Sequence, residues 1–237
     1  MDCFFVAVIE AAHPALRGLP VAVCHSASAR GTGEVSSANY AARAFGVRAG
    51  QWVRSALEAC PDLILVPYDF EGYQRASEAL YRHLWALSAA VQPLSCDEAC
   101  ADVTGLGNAA ELGERLRADI RSATGCAASV GVGPNPLVAK IAASRAKPDG
   151  LVVVKAEEVT ALMDALPLAK VPGVGRAALD KLGALGISSA RALRAHPVHQ
   201  LEHVFGPLAA RNLRQAASGQ DDRIVADPPP RRSVGAE

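Results

Sequence analysis

The sequence predicts a layered α/β or α+β domain followed by an all-helical one. Strand-like runs alternate with amphipathic helical patterns as far as about Val154, and interleaving of this kind builds sheets with helices packed on them. From Glu157 to Ser218 the strand signal stops, leaving short helices punctuated by Gly and Pro. Half of the 237 residues are apolar, enough for a real core and against global disorder.

The elements follow in order. Cys3-Phe4-Phe5-Val6-Ala7-Val8-Ile9 reads as a core strand, with almost nothing before it. Phe4 and Phe5 would then point to opposite faces, one into the core and the other into a ligand pocket. Val21–Cys24 and Leu63–Val66 are further strands. Between them, in Gly31–Gly46, Ser36 or Ser37 can cap a helix in which Tyr40 and Arg43 stand three apart on one face. A hydroxyl and a guanidinium so placed make a fork for phosphate, or a plain solvated helix face. Glu71–Ala90 is helical, with Tyr73, Ala76, Leu80, Leu84 and Leu87 at helical spacing. Ala109–Ser122 and Leu137–Ala146 read the same way, and Ala127–Val132 and Leu151–Val154 as strands. Ala146-Lys147-Pro148-Asp149-Gly150 ends a helix at a turn, with Lys147 projecting from it or pairing with its carbonyl end.

Two segments carry candidate chemistry. In Ser95-Cys96-Asp97-Glu98-Ala99, adjacent carboxylates in a strand would point to opposite faces; at a hairpin turn they can share a pocket. Paired carboxylates on a rigid hairpin suit Mg²⁺, a hard cation often completed by substrate phosphates. Val171-Pro172-Gly173-Val174-Gly175, with Leu182 and Leu185-Gly186-Ile187, is a helix-hairpin-helix pattern. Gly173, Val174 and Gly175 would bring backbone N–H groups close to a DNA phosphate, without reading sequence. The alternative is an αα-hairpin whose glycines are caps.

Bulk properties exclude other classes. Lys+Arg and Asp+Glu are equal at 24 each, which argues only mildly against nucleic acid, since a neutral total allows a basic groove. No apolar run approaches a membrane span, no signal peptide is present, and the six cysteines show no paired metal spacing. No Walker lysine loop, G-x-S-x-G or H-E-x-x-H occurs.

The order of motifs resembles the catalytic core of the Y-family (DinB/UmuC-like) translesion DNA polymerases: D-C-F-F, S-S-A-N-Y-A-A-R, S-C-D-E-A, A-K-P-D-G, then V-P-G-V-G. Within the family the chain is most similar to the Rev branch, the deoxycytidyl transferases of eukaryotic DNA repair. The pointers are Val66-Pro67-Tyr68-Asp69-Phe70 with Tyr73, the Cys of Ser-Cys-Asp-Glu-Ala, Cys126–Gly131 and Gly219–Arg223. The resemblance implies an α+β fold: a palm over residues 1–156, a mixed, largely antiparallel sheet with helices, and fingers inserted at about 18–67. An all-α thumb with helix-hairpin-helix follows at 157–225, then a linker at 226–237 to a little-finger domain.

It also implies the site. Asp97 and Glu98 would be palm carboxylates for two catalytic Mg²⁺ ions, with the Met1 backbone carbonyl as a further ligand. Phe5 matches the steric gate beneath the sugar; Ser37, Tyr40, Arg43 and Lys147 match groups that hold the triphosphate. The partners implied are primer–template DNA, an incoming dNTP (dCTP for this branch) and other translesion polymerases bound through regions outside the chain. The implied location is the nucleus, with no membrane association. Family members carry an Asp just before the residue matching Met1, and the Rev branch an upstream template-mimicking Arg, so the chain reads as a fragment shortened at both ends. Two rivals stay open: a non-catalytic DNA-binding scaffold, and a bacterial-type bypass polymerase with broader base choice. A nucleotide cyclase would share a palm-like fold but gives no reason for the helix-hairpin-helix.

Overall fold

A computed structural model describes residues 1–25 and 33–226. Residues 31 and 32 of the finger candidate, and the proline-rich tail from residue 227 onward, lie outside the described residues. The chain divides into two compact units, residues 1–106 with 115–128 and residues 107–114 with 129–225.

The first unit opens on helix α1 (Phe4–Ala12), not on the strand expected at Cys3–Ile9. The helix packs against strands β1 (Val21–Cys24) and β2 (Val35–Ala38) and against helix α4 (Phe70–Leu87). Phe4, Val6, Val8 and Ile9 are therefore all buried. A short element covered on several sides lacks the polar stripe that separates a helix from a strand in sequence. Phe4 and Phe5 consequently stand about 100° apart around a helix, not on opposite faces, and both join one aromatic cluster.

Strand β1 is central in a three-stranded sheet of order β2-β1-β3, antiparallel to β2 and parallel to β3 (Ile64–Val66). Helices α2 (Tyr40–Ala44) and α3 (Val53–Ala59) share its second core, built from Ala22, Val35, Ala42, Val53, Ala56 and Cys60. Asp69 caps α4, accepting from Gly72 N–H at 2.9 Å. Of the expected stripe, Tyr73, Ala76, Leu80 and Leu84 are buried, joined by Tyr81, and Leu87 is half-buried. An antiparallel hairpin follows, β4 (Val91–Pro93) with β5 (Ala99–Ala101), then α5 (Ala109–Thr124).

In the second unit β6 (Val130–Val132) and β7 (Leu151–Val153) pair in parallel through α6 (Pro136–Ala146). Gly131 lets α6 lie directly on β6: a Cβ there would stand 2.0 Å from Ala143 N and 2.2 Å from Ala139 O. Five helices complete the unit, α7 (Val159–Ala165), α8 (Arg176–Ala184), α9 (Ala190–Ala195), α10 (Val198–Phe205) and α11 (Pro207–Ala217). One core runs from Leu137 and Val138 through Leu162, Leu182 and Leu193 to Leu213. The compact units part at 128/129, and the core of the second unit carries α6 together with α7–α11.

One expectation for the sheet is corrected. Instead of a single, largely antiparallel palm sheet, the described strands form the mixed three-stranded sheet, the β4–β5 hairpin and the parallel β6–β7 pair. The segment expected as a core strand, Cys3–Ile9, is helical from Phe4 onward.

Candidate active site

The hairpin turn between β4 and β5 carries Asp97 and Glu98. Leu94 N–H and Ser95 N–H both donate to Glu98 O, at 2.9 and 3.0 Å. The Tyr81 hydroxyl, on α4, reaches Ser95 O at 2.5 Å and Glu98 O at 3.0 Å. Ser95 Oγ donates to Asp97 Oδ1 at 2.7 Å, and the Met1 amino group donates to Asp97 O at 2.6 Å, 3.7 Å from Oδ2. The carboxylates thus stand in a turn pinned from α4 and from within, outside the alternation of the ladder. Asp97 is half-buried and Glu98 exposed.

Asp2 is buried, its backbone N–H held by Ala127 O at 2.9 Å. Cys3 takes a left-handed conformation (φ 47°), turning the chain into α1 and bringing Phe5 into an aromatic cluster. The Phe5 ring lies 4.7 Å from Tyr73 and meets Tyr68 edge-on at 6.1 Å. Tyr68 stacks on the exposed Phe70 at 5.0 Å, and its hydroxyl bonds Ser36 Oγ.

Helix α2 supplies the basic fork. Arg43 lies over the Tyr40 ring, 5.2 Å from its centroid, and its Nε donates to Ala38 O at 2.8 Å. Burial, then the nearby Asp2 carboxylate and Cys3, push the Tyr40 phenol up to about 12, against the opposing Arg43 charge. At neutral pH Tyr40 is therefore a hydrogen-bond donor, the form an anion requires. The expected serine cap is corrected: Ser36 and Ser37 belong to β2, Ser37 paired with Val23, and Asn39 caps α2 by accepting from Ala42 N–H at 2.9 Å. The cap position is the residue whose side chain precedes the first turn, and a strand residue two places earlier cannot reach it. Ser37 itself is buried in the sheet.

The remaining candidates belong to the second unit. Lys147 is exposed at the C-cap of α6, which Asn135 starts by capping Val138 N–H at 2.9 Å. Gly173 (φ 88°) and Gly175 flank the buried Val174 in the turn before α8, and a Cβ on either glycine would meet nothing beyond its chain neighbours within 4 Å.

Sequence reasoning missed Asn39, Tyr68 and Tyr81 as supports of the site. Asn39 was legible as an N-cap residue, whereas the pairing of Tyr68 with Ser36 and of Tyr81 with the turn carried no local signal.

As to metal, no group of three or more His, Cys, Asp or Glu side chains gathers among the described residues. Mg²⁺ needs no such cage, since one or two carboxylates and substrate phosphates suffice. The all-oxygen donor set of Asp97 and Glu98 on a pinned turn fits it.

The chain is similar to several known proteins. The sequence matches the impB/mucB/samB (IMS) family over residues 1–144. It is 41% identical over 239 residues to the DNA repair protein REV1 of Arabidopsis thaliana, covering all of this chain and 22% of that protein. It is 39% identical to DNA polymerase IV of Shewanella amazonensis, over all of this chain and 67% of the relative. Among solved structures, the insertion ternary complex of Dbh DNA polymerase superposes with a TM-score of 0.87 at 32% identity, over 94% of this chain and 67% of that one. DinB from Sulfolobus solfataricus superposes with a TM-score of 0.85 at the same 32% identity.

Proposed function

The chain belongs to the impB/mucB/samB family, the Y-family translesion polymerases, and from that premise we propose that it performs template-dependent nucleotidyl transfer opposite damaged DNA. The observation that carries the reading is the gathering, in one compact unit, of the Asp97–Glu98 turn, the half-buried Phe5 ring and the Tyr40–Arg43 fork. In the reaction a primer 3′-oxygen attacks the α-phosphorus of the incoming nucleotide and pyrophosphate leaves.

Each residue has a role in that step. Tyr40, protonated throughout the neutral range, and Arg43 donate to the triphosphate, holding it in line for attack. Ser37 is buried in β2, and Lys147, exposed at the C-cap of α6, is a further candidate cation for a phosphate. Phe5, backed by Tyr73 and Tyr68, presents a flat ring under the sugar with no room for a 2′-hydroxyl. Asp97 and Glu98, with the Met1 carbonyl, would hold two Mg²⁺ ions, which when bound stabilise charge on the attacking and leaving oxygens. Gly173 and Gly175 leave open space around the turn before α8, where DNA backbone can approach N–H groups, consistent with a helix-hairpin-helix thumb.

Similarity to both REV1 and DNA polymerase IV bears on base choice. The Val66–Phe70 and Gly219–Arg223 segments favour the dCMP-inserting branch acting in the nucleus, with other translesion polymerases as partners. Primer extension with Mg²⁺ and each dNTP, opposite every template base and an abasic site, tests the reading. dCMP addition irrespective of template, abolished by Asp97→Ala, supports a dCMP transferase. Template-directed addition of all four points to broader base choice, and DNA binding without addition refutes catalysis.

A further inference from the structure

We propose that Asn39 and Glu10 form a positioning pair that sets helix α2, with Tyr40 and Arg43, against helix α1, with Phe5; its functional part rests on the assignment of those three residues to the nucleotide. Asn39 is 7% exposed. Its Oδ1 accepts from Val21 N–H at 3.2 Å and Ala42 N–H at 2.9 Å. Its Nδ2 donates to Glu10 Oε1 and to Leu19 O, both at 2.7 Å. These four bonds use the whole capacity of the amide. They tie together α1, the segment after it, β1 and the first turn of α2.

A helix cap alone does not require this. Ser189 caps α9 with one bond, from Ala192 N–H at 3.1 Å. What the amide adds at residue 39 is two donors, one of them on a carboxylate, where a hydrogen bond is stronger than a neutral one. The addition matters because α2 has only five residues, too few to hold a helix in place by its own backbone bonds. The direction of Tyr40 and Arg43 is then inherited from Asn39. Glu10 sits five residues after Phe5 on α1, so the same bond relates the sugar-facing ring to the triphosphate-facing fork. No neighbouring residue type reproduces this set: Asp would bring a second carboxylate to Glu10, and Ser has no amide donors.

The test uses three variants. Asn39→Ser keeps a cap acceptor and removes both amide donors, Glu10→Ala removes the acceptor, and Glu10→Gln retains an acceptor oxygen. Hydrogen exchange of the amides at 40–44 is compared with those of α3 in the nucleotide-free protein, and KM and kcat for dCTP are measured by primer extension. Glu10→Ala is expected to speed exchange at 40–44 about tenfold and raise KM about tenfold, the size of one hydrogen bond to a charged group, and Asn39→Ser, which also loses the bond to Leu19 O, at least as much. Exchange in α3 and kcat should move far less, and Glu10→Gln, which keeps a neutral acceptor, should fall between Glu10→Ala and wild type. Unchanged exchange at 40–44 overturns the pair; faster exchange with unmoved KM overturns its role in nucleotide placement. A wild-type protein that adds no nucleotide refutes the polymerase assignment separately, and exchange then decides the tie between the helices. Should Asn39→Ser fail to fold, the two half-buried Glu10 variants carry the same comparison.

Discussion

Replacing Tyr81 by Phe removes one oxygen and tests whether the turn holding Asp97 and Glu98 is set from α4. The hydroxyl has a single proton to share between Ser95 O at 2.5 Å and Glu98 O at 3.0 Å. After its loss Glu98 O still accepts from Leu94 and Ser95 N–H, so only Ser95 O loses its partner. Ser95 is exposed and water can replace that partner in part, which puts the cost near the net value of one hydrogen bond, about 1 kcal/mol, rather than the full penalty of an orphaned group. For a chain of this length that is about 2–4 °C in melting temperature. The Phe ring keeps its packing near Trp85, 5.5 Å away in the wild type. Catalysis should suffer more than stability, because a carboxylate displaced by 1 Å can cost up to about a hundredfold; we expect roughly a tenfold fall in kcat. Burial, with Cys96 and Asp97 nearby, raises the Tyr81 phenol above its ordinary range. The neutral donor is therefore present at all lower pH and is lost only as pH rises through the elevated value, so the defect should be constant across neutral pH. Single-turnover insertion and thermal denaturation measure the two effects. An unchanged kcat beside a lowered melting temperature would refute the link between Tyr81 and the carboxylates.

Two further outcomes concern the second unit. Gly131→Ala places a methyl against the α6 backbone at Ala139 and Ala143, and should destabilise by about 1–3 kcal/mol by overpacking, read as a lowered denaturation midpoint. Asp221 receives Arg223 Nε at 2.8 Å and the guanidinium end at 2.7 Å, and the Arg223 bonds hold its carboxyl below the ordinary range despite burial. A depressed carboxylate stabilises fully above its unfolded value and loses that contribution as pH falls through the folded one. Asp221→Asn should therefore cost about 1 kcal/mol at pH 7, with the gap to wild type closing in acid; a gap independent of pH in denaturation curves would contradict the pairing.

The helices from Phe70 to Leu87, Ala109 to Thr124 and Pro136 to Ala146, and the strands at Val21, Ile64 and Leu151, were legible within a few residues. Their signals are local: a stripe of apolar residues at helical spacing, a short β-branched run, and a polar cap or Pro at the start. The Asp97–Glu98 turn and the Tyr40–Arg43 spacing were legible for the same reason, since neighbours in sequence stay neighbours in a turn or on one helix face. Tertiary structure alone decided the rest. Phe4–Ala12 is helical because it is covered from several sides, a fact that a sequence apolar but for Glu10 cannot encode. Asn39 rather than a serine fixes α2, through partners as distant as Glu10. That α6 shares one core with α7–α11 was likewise not legible, because which apolar faces meet is decided by packing between segments far apart in the chain.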